Sequence, residues 1–297
     1  MREMMRERLG RVRIATRQRG VLATALRGAA ARGATRRSMS PKHPRSGESR
    51  AYGDDNYWIN RFEKSSSNDE ETDEWLLSWS QLSPLLDLPA NATVIDLGCG
   101  TSSLPIDLLQ NIADARVIAI DIAPGAIKHQ RERIRQSDNK VASRLLLSTC
   151  DATVPGARLT DAGSASCSID KSTTDGLLCD TAKGAARVRT MYSNVARALA
   201  PTALVVVCSW RDPESDDGLE WLTDLVLGGL ADGEEAEALS RWSLDIHTIV
   251  SGETRGPHVY LLQRRPLRRS KRARAPCSET ESGVEEDLRV RLHVHET

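Results

Sequence analysis

A carboxylate followed by two closely spaced glycines is the first feature of the sequence that could do chemistry. The β-branched and aliphatic run Thr93–Leu97 contains Asp96, and Gly98 and Gly100 follow it. Glycine lets the backbone turn sharply and approach a ligand closely. Dinucleotide-binding loops carry a third glycine, which Ser103 replaces here, and a carboxylate at this place would repel a pyrophosphate. Asp96 instead suits a ligand that carries an ammonium group.

Two further carboxylates end the next two predicted strands. Asp121 follows Arg116–Ile120, and Asp151 follows Arg144–Thr149. Asp121 can accept hydrogen bonds from both hydroxyls of a ribose, or it can cap the helix that comes after it. Asp151 can accept from the exocyclic amine of an adenine, with Ala152 offering its backbone N–H, or it can shape a turn. An ammonium group, a ribose and an adenine together describe S-adenosylmethionine.

A parallel sheet is needed to bring these side chains together. Strands and helix-length segments alternate along the chain, which predicts parallel βαβ units with the ligand beyond the carboxyl ends of the strands. Only about seven residues separate the last two strands, too few for a parallel crossover, so they predict an antiparallel hairpin. The predicted fold is a Rossmann-like α/β fold with a seven-stranded, mostly parallel sheet, helices on both faces and a C-terminal antiparallel β-hairpin. The predicted strands are Thr93–Leu97, Arg116–Ile120, Arg144–Thr149, Ser166–Asp170, Ala203–Cys208, Trp242–Val250 and His258–Gln263, and the predicted helices are Leu104–Ala113, Pro124–Gln136 and Ala185–Leu199.

The composition argues against several classes of protein. The 41 basic and 41 acidic residues give a net charge of zero, so no global charge favours a nucleic acid or a membrane as partner. No apolar run reaches the roughly 18 residues that a membrane span needs. The six cysteines form no C-x-x-C pair, and no histidine stands in a metal-like pattern. We therefore predict no metal site, and buried reduced thiols in an intracellular protein.

Charge divides the chain into a central domain and two ends. Residues 1–50 are rich in arginine and poor in acids, which fits a disordered basic tail or a mitochondrial transit peptide. Residues 266–297 combine basic and acidic runs and predict a disordered tail, with a nuclear-import signal as the alternative. The compact domain is predicted at 51–265. The expected location is cytoplasmic, or mitochondrial if the N-terminus is a transit peptide.

Motifs beyond the glycine loop narrow the prediction to a family. The stretch D-L-G-C-G-T-S-S-L and the final hairpin resemble class I S-adenosylmethionine-dependent methyltransferases. Four further segments, which run in order through most of 52–265, resemble one branch, the protein-lysine methyltransferases of the elongation factor 1-alpha lysine methyltransferase type. These segments are Tyr57-Trp58-x-x-Arg61-Phe62, Glu74-Trp75 with Leu82–Leu86 in an aromatic helix before the first strand, the run D-K-S-T-T-D from Asp170 to Asp175, and Trp242-Ser243-Leu244 with His258-Val259-Tyr260-Leu261.

The resemblance implies a cofactor, a substrate and a set of site residues. The cofactor would be S-adenosyl-L-methionine, and the methyl acceptor a lysine of a protein, with elongation factor 1-alpha as the suggested substrate. Asp170 would be the catalytic residue that holds the target nitrogen or takes its proton, and a structural pair with Lys171 is its alternative role. The aromatic members of the site could instead form a hydrophobic cap on the sheet edge. The predicted cofactor-binding residues are Trp58, Phe62, Trp75, Asp96, Gly98, Gly100, Asp121, Ile122, Asp151, Ala152 and Lys171.

Departures from the family pattern keep other functions open. Ser172 and Thr174 replace a glycine and a leucine of the family's fourth motif, and the fourth strand, Ser164–Ile169, has lost most of its apolar content. A catalytically silent methyltransferase-fold binding protein is one alternative, and a small-molecule methyltransferase is another. A nicotinamide-dependent oxidoreductase is disfavoured by Asp96, by the missing third glycine and by the final hairpin. The oligomeric state cannot be inferred from the sequence.

Overall fold

The computed structural model describes seven stretches of the chain, residues 8–11, 51–65, 74–215, 218–231, 242–251, 254–265 and 289–296. The strands in these stretches form one nine-stranded sheet. They are β1 Arg8–Arg11, β2 Thr93–Leu97, β3 Arg116–Asp121, β4 Leu145–Thr149, β5 Ala165–Lys171, β6 Leu199–Ser209, β7 Trp242–Ser251, β8 Thr254–Arg264 and β9 Arg289–Glu296.

The strand order places a switch point between β2 and β5. The order is β1-β9-β7-β8-β6-β5-β2-β3-β4. Strands β2 to β6 pair in parallel, while β8 lies antiparallel between β6 and β7. After β2 the chain first builds outward through β3 and β4, and then returns to the other side of β2 to form β5. The predicted Rossmann-like sheet and its C-terminal antiparallel hairpin are confirmed, and the switch point is where such sheets bind ligands.

Helices cover both faces of the sheet. Side chains alternate along β2, so Ile95 and Leu97 pack in the core beneath α7 while Val94 packs in the core beneath α3 and α4. The helices are α1 Asp55–Ser65, α2 Trp79–Leu82, α3 Leu104–Asn111, α4 Pro124–Arg135, α5 Asn139–Ala142, α6 Thr173–Leu177, α7 Gly184–Ala198 and α8 Gly228–Leu230, the last preceded by a π-helical turn, Leu222–Leu227. Two 3₁₀ turns, Ala51–Gly53 and Ser83–Leu85, complete the helical elements of the described residues.

The serine-rich fourth predicted strand forms despite its weak apolar pattern. It is β5, and it pairs in parallel with β2 on one side and β6 on the other. One of its serines is paired with a neighbouring strand, since Ser166 Oγ accepts a hydrogen bond from the Thr93 N–H at 2.9 Å, whereas Ser168 Oγ is buried with no hydrogen-bond partner among the described residues. Backbone ladders on both sides therefore hold a strand that its side chains alone would specify poorly.

The aromatic helix expected before the first strand is shorter than predicted. The residues Glu74–Leu77 are not helical, and α2 begins only at Trp79. Leu76 has a φ of 64°, which a helix does not allow. Glu74 and Trp75 therefore lie in a turn whose course is set by contacts with the rest of the domain.

Two strands lie in segments that were predicted to be disordered tails. β9 falls within 266–297 and pairs in parallel with β7, and β1 falls within 1–50 and pairs antiparallel with β9. The sheet of the described residues thus includes short stretches from both of these segments. The run R-V-R-L-H-V-H-E alternates polar and apolar residues, which fits a strand, and β7 offers it an edge to pair with. The transit peptide and the nuclear-import signal otherwise concern segments outside the described residues.

The five described cysteines form no disulfide bond with one another. Cys99, Cys167 and Cys208 are buried, while Cys150 and Cys179 are half-buried. Burial raises the pKa of the Cys208 thiol to about 12. Cys277 lies outside the described residues. None of the helices in the described stretches is long and apolar enough to cross a membrane.

Candidate functional site

A cleft lies at the carboxyl ends of β2, β3, β4 and β5, beside the switch point. Its wall combines the glycine loop, the ends of three further strands and the aromatic residues of the N-terminal segment. The lining residues are Tyr52, Asp55, Trp58, Phe62, Trp75, Gly98, Cys99, Gly100, Thr101, Ser102, Ile120, Asp121, Ile122, Cys150, Asp151, Ala152, Thr153, Lys171, Ser172, Thr173, Gly176, Leu177, Arg187 and Met191.

The cleft contains all but one of the residues predicted to bind the cofactor. Asp96 is the exception, because it lies buried below the glycine loop. Asp170, the predicted catalytic residue, is also absent from the lining. The structure therefore brings most of the predicted residues together at one cleft, and the contacts described below show which of them the protein itself engages.

The glycine loop is shaped by contact with the segment after β5. Gly98 has a φ of +66°, and a Cβ at this position would lie 2.2 Å from Thr173 Oγ1. That hydroxyl donates a hydrogen bond to the Leu97 carbonyl at 2.7 Å. A side chain at Gly98 would therefore separate two segments that both line the cleft.

Asp121 ties the glycine loop to helix α4 and also faces the cleft. Its Oδ2 accepts a hydrogen bond from the Gly100 N–H at 2.9 Å, and its Oδ1 accepts from the Ala123 N–H at 2.8 Å. Burial raises the pKa of Asp121, and these backbone N–H groups oppose that rise. Because each carboxylate oxygen can accept more than one hydrogen bond, capping the helix and receiving ribose hydroxyls are compatible roles.

Asp151 shapes a turn at the end of β4 and lines the cleft as well. Its Oδ1 accepts hydrogen bonds from the Thr153 N–H at 2.8 Å and from Thr153 Oγ1 at 2.7 Å. This is the turn that the sequence offered as an alternative to adenine binding. Ala152 follows on the same wall of the cleft. The turn places both groups where an adenine could be received.

Asp96 is a buried carboxylate with an oxygen that lacks a partner. Its Oδ2 makes no hydrogen bond with any of the described residues. Burial raises the pKa of Asp96 to about 7, and the charges of Asp121 and Glu74 add to the rise while Lys171 opposes it. An unsatisfied buried oxygen is costly. A cationic ligand above the glycine loop would relieve that cost, so the residues present fit a ligand with an ammonium group.

Four aromatic residues form a wall on the N-terminal side of the cleft. Trp58 lies at its centre, with ring centroids 5.6 Å from Tyr52, 6.1 Å from Phe62 and 5.8 Å from Trp75. The indole N–H of Trp58 donates to the Tyr52 carbonyl at 2.8 Å. Both predicted roles therefore coincide, because the rings pack on one another and line the cleft at once.

Lys171 is bound by the protein itself, which revises its predicted role. Its Nζ contacts Glu74 Oε2 at 2.5 Å, Ser102 Oγ at 2.9 Å and the Leu77 carbonyl at 3.3 Å. An ammonium group has three donors, and these three acceptors use them all. Lys171 therefore holds segments around the cleft together and has no donor left for a ligand.

Glu74 is the residue of the site that the sequence reasoning missed. Besides Lys171, it accepts hydrogen bonds from Ser102 Oγ at 3.0 Å and from the Ser103 N–H. The motif Glu74-Trp75 was noticed only for its aromatic residue. The partners of Glu74 lie 28 to 97 residues away along the chain, so no local sequence pattern predicts these contacts.

Asp170 is fully buried and its carboxylate organises the start of α6. It accepts hydrogen bonds from the Thr173 N–H at 2.8 Å, from Thr174 Oγ1 at 2.5 Å and from the Tyr192 hydroxyl at 2.8 Å. Burial raises its pKa to about 6, and the hydroxyls oppose the rise. The alternative pairing with Lys171 is wrong, because Lys171 pairs with Glu74. A catalytic role for Asp170 stays a prediction.

The charges of the described residues give no sign of a bound metal. No group of three or more histidine, cysteine, aspartate or glutamate side chains in the described stretches could hold a metal ion. The site chemistry thus consists of carboxylates, backbone groups and aromatic rings around a curved glycine loop.

Comparisons with known proteins agree with this site. A family model described as a methyltransferase domain matches residues 95–205. A malonyl-[acyl-carrier protein] O-methyltransferase of Acetivibrio thermocellus is 44% identical over 57 residues, which cover 19% of this chain and 20% of that protein. The chain thus matches only about a fifth of that relative's length.

Solved structures with a similar course of the chain are distant. An S-adenosylmethionine-dependent methyltransferase of Methanosarcina mazei is 13% identical to this chain, with a TM-score of 0.45. The match covers 65% of this chain and 100% of that structure's chain. A TehB-like methyltransferase of Corynebacterium glutamicum has 12% identity and a TM-score of 0.43, covering 71% and 98%.

The domain match and the site define a class. Residues 95–205, which hold the glycine loop and the carboxylates Asp121 and Asp151 of the cleft, match a methyltransferase domain, and the sheet has the Rossmann-like order with β8 as its reversed strand beside β6. The matched segment and the cleft resemble those of class I S-adenosylmethionine-dependent methyltransferases, and the cofactor that this resemblance implies is S-adenosylmethionine.

Proposed function

We propose that this domain transfers a methyl group from S-adenosylmethionine to the side-chain nitrogen of a lysine on a protein. The observation that carries the proposal is the charge of the cleft. Both cations on its wall are already paired, Lys171 with Glu74 and Arg187 with Asp55, each at 2.5 Å. A cleft with its cations neutralised favours a cationic cofactor and an amine acceptor over an anionic acceptor.

The carboxylates that remain on the wall support the same acceptor. Asp121 and Asp151 line the cleft and have no positively charged partner among the described residues. Their field attracts positive charge, and it would repel a carboxylate substrate. The motifs that resemble the protein-lysine branch supply the second support, since Trp58, Phe62 and Trp75 lie on the cleft wall.

The work of the protein in this reaction is alignment and desolvation. S-adenosylmethionine supplies a methyl group that is already activated on a sulfonium. Asp121, Asp151 and the glycine loop would orient its adenosyl portion, and Asp96 would balance the charge of its ammonium group. The aromatic wall excludes water from the reacting atoms, which strengthens every electrostatic interaction inside.

The acceptor lysine must lose a proton before it can attack. The unperturbed pKa of a lysine amine is about 10.4. A neighbouring sulfonium and partial burial both lower that pKa, because each disfavours the ammonium form. Asp170 would affect this step through the loop that it holds, since its hydrogen bonds fix Thr173 and Thr174.

Methylation of a carboxyl oxygen is the second candidate function. It is favoured by the name of the relative from Acetivibrio thermocellus, which is an O-methyltransferase that is 44% identical over 57 residues. A carboxylate is ionised at neutral pH and needs no base. Such an acceptor would require a cation at the cleft, and the two that line it are paired within the domain.

A labelling experiment separates the two candidates. The protein is incubated with methyl-labelled S-adenosylmethionine and a cell extract, and the labelled proteins are treated with mild alkali. Methyl esters are hydrolysed by alkali, whereas N-methyl-lysine is stable and can be identified by mass spectrometry of the labelled peptide. We expect alkali-stable label on lysine that disappears with the Asp121→Ala variant. Label confined to alkali-labile esters or to small molecules would contradict the lysine proposal, and cofactor binding without any label would favour the catalytically silent alternative.

A further inference from the structure

The segment Glu74–Leu77 joins the aromatic wall of the cleft to its glycine loop. Trp75 lines the cleft and packs against Trp58. The preceding residue, Glu74, turns away from the rings and contacts Ser102 at 3.0 Å together with the backbone of Ser103. Neighbouring residues of one segment thus contact two different parts of the site, the aromatic wall and the glycine loop.

The backbone of this segment is strained. Leu76 has a φ of 64°, and the Leu77 N–H donates to the Trp75 carbonyl at 2.8 Å, two residues earlier. A γ-turn with positive φ is rare because its central residue lies in an unfavourable conformation. A leucine adopts it only where the surrounding contacts determine the course of the chain, so those contacts must lie at the two ends of the turn.

Buried contacts at both ends of the turn supply that constraint. Leu77 is 2% exposed, and its carbonyl accepts from Lys171 Nζ at 3.3 Å. The same ammonium contacts Glu74 Oε2 at 2.5 Å, and the side chain of Lys171 is 6% exposed. One buried cation therefore binds the residue on each side of Trp75 and Leu76.

We infer that Glu74 is a positioning residue. Together with Lys171 it holds Trp75 in place beside the cleft. It also connects Trp75 to the glycine loop, which receives the cofactor. The inference rests on the proposed function only in taking S-adenosylmethionine as the ligand. It assigns no group of Glu74 or Lys171 to the cofactor itself.

The electrostatics of Glu74 support a permanent role of this kind. Burial alone would raise the pKa of Glu74, but the ion pair with Lys171 and the hydrogen bonds of Ser103 together hold it below its ordinary value. The carboxylate is therefore ionised at neutral pH. Removing its charge leaves buried Lys171 without the carboxylate that contacts it, which costs more than the loss of an exposed ion pair.

The first test compares cofactor affinity in single variants. Glu74→Gln should weaken S-adenosylmethionine binding roughly tenfold in isothermal titration, with faster dissociation, because Trp75 is no longer held in place. Glu132→Gln is the matched control, since Glu132 forms an exposed 4.0 Å ion pair with Lys128 on helix α4. Glu74→Asp should recover part of the affinity, because it keeps the charge.

The second test asks whether Glu74 acts through Trp75. In the Trp75→Ala background, Glu74→Gln should cause a clearly smaller loss of affinity for S-adenosylmethionine than in the unaltered protein, since the part of its effect that acts through the ring is already gone. Equal losses in both backgrounds would overturn the inference and indicate a general structural role. If Glu74→Gln does not fold, Ser102→Ala, which removes a hydroxyl that contacts both Glu74 and Lys171, is tested in the same two backgrounds.

The binding data distinguish a failure of the proposed function from a failure of the role inferred for Glu74. If the unaltered protein binds no S-adenosylmethionine, the proposed function is contradicted. If it binds the cofactor and Glu74→Gln binds equally well, only the role inferred for Glu74 is contradicted.

Discussion

Ser172 departs from the family pattern at a position where the backbone has a positive φ. It has a φ of 72°, in the region that glycine adopts without strain, and the resembling family carries a glycine there. We predict that Ser172→Gly raises the free energy of unfolding by about 1 kcal/mol. Urea unfolding measures the difference. Ser172→Ala, which keeps the Cβ, is the control, and an equal gain in both variants would contradict the explanation.

Asp96 should make cofactor binding depend on pH. Its pKa is raised to about 7 in the structure. An ammonium group nearby favours the ionised carboxylate, so binding should tighten as the pH rises from about 5.5 to about 7.5 and then level off. Isothermal titration at several pH values measures this, and Asp96→Asn should flatten the profile. Weakening over the same range would refute the assignment.

The same buried carboxylate affects stability in the opposite direction. Because folded Asp96 keeps its proton to higher pH than the unfolded chain does, the folded state binds more protons between about pH 4 and pH 7. Its contribution to stability therefore falls as the pH rises through this window. Asp96→Asn should remove that part of the pH dependence in urea unfolding of the cofactor-free protein.

Asp170 can be tested for structure and catalysis separately. Since its carboxylate accepts from Thr174 and Tyr192, Asp170→Asn should lower the free energy of unfolding by about 1–3 kcal/mol. Tyr192→Phe removes one of these donors and serves as the control. If the role is structural, both variants retain methyl transfer at saturating cofactor within about tenfold once they are folded. A loss beyond about a hundredfold in Asp170→Asn alone would establish the originally predicted catalytic role.

At the level of elements, the glycine loop approaches the segment after β5 closely. A Cβ on Gly98 would lie 2.2 Å from Thr173 Oγ1, whereas one on Gly100 would lie 3.3 Å from Phe62 Cζ. We predict that Gly98→Ala lowers the thermal unfolding temperature more than Gly100→Ala does. Adding Thr173→Ala should recover part of the loss at Gly98, although the positive φ remains unfavourable. No recovery would mean that the clash is not the cause.

Elements specified by local patterns were predictable from the sequence. The bounds of β2 agree with the β-branched run that predicts them, and α4 begins at the proline that favours the first turn of a helix. The C-terminal hairpin followed from a connection too short for a crossover. In each case a few neighbouring residues determine the result.

Features that depend on distant partners were not predictable in this way. The turn at Glu74–Leu77 is held by Lys171, 97 residues from Glu74. Strand β9 lies in a charged segment and depends on the free edge of β7. The carboxylate of Asp170 is used by Tyr192, 22 residues away. Local patterns located the carboxylates and glycines of the cleft but did not specify which of them the protein itself engages.

The net charge of the whole molecule is zero, but the charges that line the cleft are unevenly balanced. The cations of the cleft wall are paired, and carboxylates remain where a cationic cofactor would lie. We propose that this local field, rather than the total charge, favours S-adenosylmethionine and an amine acceptor. The central claim is therefore that Asp121, at the end of β3, receives the cofactor.

The most direct test is isothermal titration of S-adenosylmethionine into the full chain and into Asp121→Ala. Asp138→Ala is the matched control, because Asp138 caps the short helix α5 through the Lys140 N–H at 2.9 Å and does not line the cleft. We predict that the unaltered chain and the control bind the cofactor equally, and that Asp121→Ala binds at least about tenfold more weakly. Absence of binding to the unaltered chain, or equal binding to a folded Asp121→Ala, would contradict the account.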